Sequence, residues 1–313
     1  MGREVDIKQL CGLLGYSKQA YYKRLSKMEE KRFKEQLILD LVKEKRKIWK
    51  KGSGRNLLAS LQRDFQEHSI KIGRDKFFDL LRENGLLMKK RSRKAITTFS
   101  YHHFHKYPNI VRGFIPQKPG ELIVSDITYV WITETENFAY LFLITDVYSR
   151  KIIGYCVSNT LKAISAIKAL KEAIKQLPIQ EHCIHHSDRG IQYCSIEYTD
   201  LLNKHGIRIS MTENGDPLEN AIAERVNRTI KEEFTNEKTL TFRSFEEAKR
   251  ELPKFIKFYN EQRPHRSIDM HTPSTAFKME GELKKRWKNY YKDRNVQDEA
   301  KGEFSQAYVQ KYD

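Results

Sequence analysis

The sequence predicts an all-α front half joined to an α/β unit built on a mixed five-stranded sheet, and three observations predict it. Charge is unevenly divided. Residues 1 to 100 hold 26 Lys and Arg against 12 Asp and Glu, a balance of +14, whereas residues 121 to 280 hold 21 against 23, a balance of −2. The hydrophobic period changes near residue 121, from helical spacing to apolar β-rich runs. Beyond that point strands and helices alternate in a way that separate all-β or all-α units do not. With 313 residues and 39% hydrophobic content, the chain has enough apolar material for two domains.

Residues 6 to 24, DIKQLCGLLGYSKQAYYKR, read as a short apolar helix, a turn at Gly15 and Tyr16, and a second helix capped by Ser17. That is the outline of a helix-turn-helix. A strongly charged helix follows over about 28 to 50, completing a first module over residues 1–50. In the next, over 51–94, Leu57, Leu58, Leu61 and Phe65 form one apolar face. Phe77, Phe78, Leu81 and Leu86 mark another helix after a turn at Gly73, and Gly85 is its stop signal. The run KKRSRK at 89 to 94 leads into a linker, 95–118, that contains Pro108 and Pro116 and is followed by Pro119. So concentrated a basic half is the footprint of a polyanion binder, because each neutralised phosphate releases counterions. Lys18, Lys23, Arg24, Arg55, Arg74 and Lys76 are its candidate DNA contacts.

The second half, 119–280, opens with ELIVSDITYVWI, NFAYLFLITDVYS and KIIGYCVS, three β-rich runs separated by short polar turns, which predicts an antiparallel meander. Ala163, Ile167, Leu170, Ile174 and Leu177 then recur at helical spacing until Pro178 ends the run. The strand EHCIHHSD comes next, and a helical crossover delivers such a strand parallel within the same sheet. A last helix begins near Leu218. The order βββ, α, β, α, β, α is that of an RNase H-like sheet. Residues 281–313 form a basic, aromatic tail.

Asp126 sits inside an apolar strand, where an ionised carboxylate is costly unless compensated. Asp188 ends the crossover strand, and Asn220, Glu224 and Lys231 fall broadly on one face of the last helix. Carboxylates gathered from these places repel one another unless divalent cations sit between them. Phosphoryl chemistry makes the same demand, since two hard cations roughly 3.5 to 4 Å apart activate an attacking oxygen and stabilise a leaving one. Oxygen ligands suit Mg²⁺, with Mn²⁺ as a substitute. Asp146, followed by Ser149 and Arg150, reads instead as a structural ion pair or hydrogen bond. His182, Cys183, His185 and His186 do not read as a zinc site, because successive strand residues alternate faces. The HHFH run at 102 to 105 lacks paired cysteines and is discounted likewise.

SDITY around Asp126, TDVYSRKIIGY from Thr145, HSDRGIQYCS from His186, NAIAE ending at Glu224 and YNEQRPH from Tyr259 are familiar together. With them the chain resembles the DDE transposases and retroviral integrases, most closely the large open reading frame product of the insertion-sequence group called the IS-three family. The 35 residues between Asp188 and Glu224 match that family's spacing between its second Asp and its Glu. The resemblance implies an RNase H-like integrase core in which Asp126, Asp188 and Glu224 are the catalytic metal ligands, Asp126 bridging two Mg²⁺ ions. It implies DNA contacts by Lys231, with Arg228 and Asn220 beside it, and binding of the terminal inverted repeats by the helical front half. The implied activity is cleavage to a 3′ hydroxyl followed by strand transfer into target DNA. The implied assembly is a homo-oligomer, at least a dimer, with a possible partner encoded by an upstream frame. Ile123 stands where many relatives carry Trp, and Glu219 precedes Asn220 where relatives often have Asp.

Other classes are disfavoured. The first ten residues hold no apolar signal core and no apolar run approaches the ~18 residues of a membrane span, so the expectation is a cytoplasmic, nucleoid-associated bacterial protein without a membrane partner. Cys11, Cys156, Cys183 and Cys194 form no C-x-x-C pair. Two rivals remain: a sequence-specific DNA-binding regulator on an inactive transposase scaffold, and a plain RNase H-like nuclease. All three carboxylates are present, against the first, and the basic helical modules exceed the needs of the second.

Overall fold

The computed structural model describes residues 7–88, 105–178, 182–213, 220–234 and 240–284. Helix α1 (Ile7–Leu13) turns at Gly15, whose φ of 70° suits a residue without a side chain, into α2 (Lys18–Ile48). Ser17 caps α2 by accepting the Ala20 N–H at 3.1 Å. The expected two helices, one after Ser17 and one over about 28 to 50, are a single helix of 31 residues. The stretch between them contains neither Gly nor Pro, and the i,i+4 ion pairs Glu30–Lys34 and Lys31–Glu35 run along the helix just beyond. Next come α3 (Gly54–Ser60), α4 (Gln62–Glu67) and α5 (Arg74–Glu83). Leu57, Leu61, Phe65, Phe77 and Leu81 are buried as their spacing requires, and Gly85, at φ 66°, ends α5.

The meander forms as expected from β1 (Leu122–Ile132), β2 (Asn137–Asp146) and β3 (Ile152–Ser158), each antiparallel to the next. Helix α6 (Ala163–Gln176) then carries the chain to β4 (Ile184–Ser187), which lies parallel to β1 with Val124 opposite His186. Gly154 admits α6 against β3, because a Cβ there would meet the Ala169 carbonyl at 2.2 Å. Short helices α7 (Ile191–Cys194) and α8 (Ile196–Lys204) lead to β5 (Arg208–Met211), parallel to β4. Helix α9 (Ala221–Glu233), strand β6 (Thr241–Phe242), α10 (Phe245–Glu261) and α11 (Pro273–Ala276) follow.

The sheet order is β3-β2-β1-β4-β5, the RNase H-like arrangement, and the sheet has six strands rather than the expected five. The sixth, β6, pairs with the far end of β1 at Trp131 and Ile132 and is two residues long, too short to leave a periodic signal. Two other expectations change. Residues 108–110 of the supposed linker dock along β5: Pro108 accepts the Met211 N–H, and the Ile110 N–H donates to Ser210 Oγ at 3.1 Å. The helical modules are also not separate bodies, since Val42, Trp49, Leu57 and Phe77 share one buried cluster with Val226, Phe234, Leu252 and Phe258. The run at 89 to 94, linker residues 95–104, Leu218 and Glu219, and the tail beyond 284 lie outside the described residues. No helix among the described residues is long and apolar enough to cross a membrane.

Candidate active site

Parallel pairing brings the two aspartates together. The β1–β4 register, continued by two residues, sets Asp188 beside Asp126 at the carboxyl end of β4, the edge where sheets of this kind present ligand sites. Asp126 accepts the Ile127 N–H on Oδ1 at 2.8 Å and the Asn227 Nδ2–H on Oδ2 at 2.7 Å. Asp188 accepts the Gly190 N–H at 3.0 Å. Burial and then the neighbouring Asp188 charge push the Asp126 carboxyl up to about 7, against the pull of Ile127, Asn227 and Lys231. Two carboxylates that resist joint ionisation, offering only oxygen, fit a hard divalent cation. The Asn227 Oδ1, buried and without a hydrogen-bond partner among the described residues, belongs to the amide that bonds Asp126.

Helix α9 bears the remaining candidates. Its apolar stripe, Ala223, Val226, Ile230 and Phe234, is buried, and Asn227 falls inside that stripe, which aims its amide at Asp126. Glu224, one turn earlier, is exposed. Among the described residues no three of His, Cys, Asp and Glu stand together as a metal-binding group; Glu224 is carried on the helix whose Asn227 bonds Asp126. Lys231, one turn past Asn227, is half-buried: burial lowers its pKa while the Asp126 charge raises it. The two charges lie within electrostatic reach of each other. Arg228 is exposed. Asn220 is buried and donates to the Ser125 carbonyl at 3.2 Å, tying the start of α9 to β1.

Lys18, Lys23, Arg24, Arg55, Arg74 and Lys76 are all exposed on the helical modules, Arg74 already bridged to Asp75 at 2.8 Å. His185 Nε2 meets Ser125 Oγ at 2.6 Å and Tyr198 OH at 2.9 Å, while His186 Nδ1 meets Ser210 Oγ at 2.9 Å. These bonds lace β4 to β1, α8 and β5. Burial drops the His185 pKa to about 3, so its ring is neutral. Asp146 is fully buried and accepts the Gly120 and Ser149 N–H groups and the Ser149 hydroxyl, the structural role expected of it. Asn227 and the Ser125–His185–Tyr198 network escaped sequence reasoning. The signal available for Asn227 was a polar residue at a core position of an amphipathic helix.

Comparison with known proteins shows the family of the chain. Two integrase core domain families match residues 116–217 and 205–273. The uncharacterized 31 kDa protein of insertion element IS600 from Shigella sonnei is 31% identical over 85% of this chain and 96% of its own length. The transposase for insertion sequence element IS629, also from Shigella sonnei, is 30% identical over 67% of this chain and 69% of its own. Among solved structures, the HTLV-2 integrase catalytic core domain in complex with magnesium aligns at 15% identity over 52% of this chain and 99% of that one, with a TM-score of 0.40.

Proposed function

The chain belongs to the insertion-sequence transposases of the integrase-core family, and from that premise we propose that it cuts the ends of an insertion sequence and joins them to target DNA. The observation that carries this reading is the pairing of Asp126 with Asp188 at the carboxyl edge of the sheet, with the Lys231 charge within electrostatic reach of Asp126. Asp126 and Asp188 would hold two Mg²⁺ ions, or Mn²⁺, with Glu224 completing the set from α9. When bound, these ions supply charge neutralisation for phosphoryl transfer. Asn227 fixes the Asp126 carboxylate, and Lys231 grips the DNA near the cut. The exposed basic residues of α2, α3 and α5 hold phosphates of the inverted repeats. A water oxygen first replaces the 3′ oxygen at phosphorus, releasing a 3′ hydroxyl. That hydroxyl then replaces a 3′ oxygen in target DNA, so each step exchanges one P–O bond for another. The working form is a homo-oligomer, at least a dimer, acting on bacterial DNA in the cytoplasm.

Asp126→Asn, Asp188→Asn and Glu224→Gln test the proposal. Each should abolish cleavage and strand transfer on a labelled end duplex with Mg²⁺ while specific binding persists. A variant that cuts at the wild-type rate removes its residue from the mechanism. Binding without cleavage by the wild type would favour the regulator reading, and cleavage without joining the nuclease reading.

A further inference from the structure

Glu233 closes α9, and its partners come from distant parts of the chain. Its carboxylate accepts the Trp49 indole N–H at 2.6 Å and two N–H groups of Arg263 at 2.7 and 2.6 Å. Its backbone carbonyl accepts the Lys51 N–H at 2.9 Å. Trp49 is fully buried against Phe258, and Arg263 is 7% exposed. Burial would lower the Arg263 pKa, but the Glu233 charge and hydrogen bonds outweigh it and hold the guanidinium above its ordinary value. The turn that delivers Trp49 is itself stiffened. Arg46 donates to the carbonyls of Trp49, Lys50 and Gly52 and to that of Leu86 beyond α5, and Gly52 packs under the indole where a Cβ would meet the ring at 2.2 Å.

We propose that Glu233 is a positioning residue: through the Trp49–Glu233–Arg263 clamp it sets the register of α9 against the helical modules, so that DNA held by those modules arrives aligned with the carboxylates. This rests on the DNA-processing reading above. Asn227 and Glu233 are about 9 Å apart along one helix at 1.5 Å per residue, a span over which a helix moves as a unit. A shift at the clamp therefore reaches the Asn227 bond to Asp126 and the Lys231 ammonium. The clamp is the point at which the end of α2 touches the helix that carries Glu224 and Lys231.

Glu233→Gln keeps the shape of the side chain but removes the charge opposite Arg263 and sets an amide N–H₂ where a carboxylate oxygen accepted, so that at least one of the three bonds is lost, and Trp49→Phe removes only the indole donor and part of its ring. The full-length variants are compared with wild type on a labelled duplex taken from the DNA flanking this gene. Binding should be unchanged, cleavage should fall by about tenfold or more with cuts scattered over neighbouring phosphates, and duplex-induced slowing of amide exchange in α9 should be lost. Wild-type cut position and rate with α9 protection retained would overturn the proposal, as would absence of that protection in the wild type. If melting shows that Glu233→Gln does not fold, Trp49→Phe decides alone. If wild type binds but does not cut, the DNA-processing reading fails, and the exchange measurement still decides the clamp.

Discussion

Asp126 lies beside Asp188 at the end of the adjacent strand, and the cost of ionising it there, from burial first and the Asp188 charge second, can be measured without any turnover. The folded Asp126 carboxyl titrates near 7 against an ordinary value of 3.8, so folding favours its protonated form. That contribution to stability is fully present below 3.8 and is lost as pH rises through about 7. Metal-free wild type should therefore lose Tm relative to Asp126→Asn between about pH 4 and pH 8, and Mg²⁺ at the upper end should restore the lost Tm and close the gap. Parallel melting curves for the two proteins would show that Asp126 is not under this strain. Lys231→Ala should reduce cleavage of specific ends by roughly tenfold to a hundredfold, the size of a lost charge-assisted contact, while Mn²⁺ binding persists. An unchanged rate would make Lys231 a mere neighbour of the carboxylates.

Among elements, α6 and α9 carry the strictest packing demands. Gly154 gives α6 its close approach to β3, and a methyl group there meets backbone that has no room to yield. Gly154→Ala should cost about 1–3 kcal/mol by denaturant titration, more than Gly to Ala costs in an open strand. A neutral substitution would mean that α6 slides easily on the sheet. Helix α9 is pinned at its start by Asn220, in its middle by Asn227 and at its end by Glu233, all through polar bonds to other elements. The periodicity of α9 was legible in the sequence because Ala223, Val226, Ile230 and Phe234 repeat at helical spacing. Its polar ties were not, because each partner lies far away in the chain. The two-residue β6 and the uninterrupted α2 were missed for opposite reasons, too little pattern in one and an assumed break in the other.

For the whole molecule, the charge balance of +14 over residues 1 to 100 makes DNA affinity a salt-dependent property of the helical half. Affinity should fall by roughly 10³ between about 50 and 200 mM salt if about six phosphates are contacted. Lys23→Glu and Arg24→Glu should each flatten that slope, whereas Glu224→Gln should not. Equal slopes in all three would move the phosphate contacts elsewhere. These measurements belong on the full chain. A fragment ending near residue 115 would expose Trp49, which is buried against Glu233 of α9 and Phe258 of α10, and would strip residues 108–110 from β5.

The sequence by itself determined the division of charge, the strand and helix order of the second half, and the identity of Asp126, Asp188 and Glu224 as the carboxylates of interest. Periodicity, charge and motif spacing are local along the chain and survive without coordinates. Only the tertiary structure decided that Asp126 lies beside Asp188, that Asn227 bonds Asp126 while Asn220 bonds the Ser125 carbonyl, and that Glu233 joins both halves. Each of these depends on a pairing between residues far apart in sequence, as between Trp49 and Glu233, and a hydrogen bond is directional and short-ranged. Such bonds are set by strand register and helix rotation, which exist only once the apolar faces have packed.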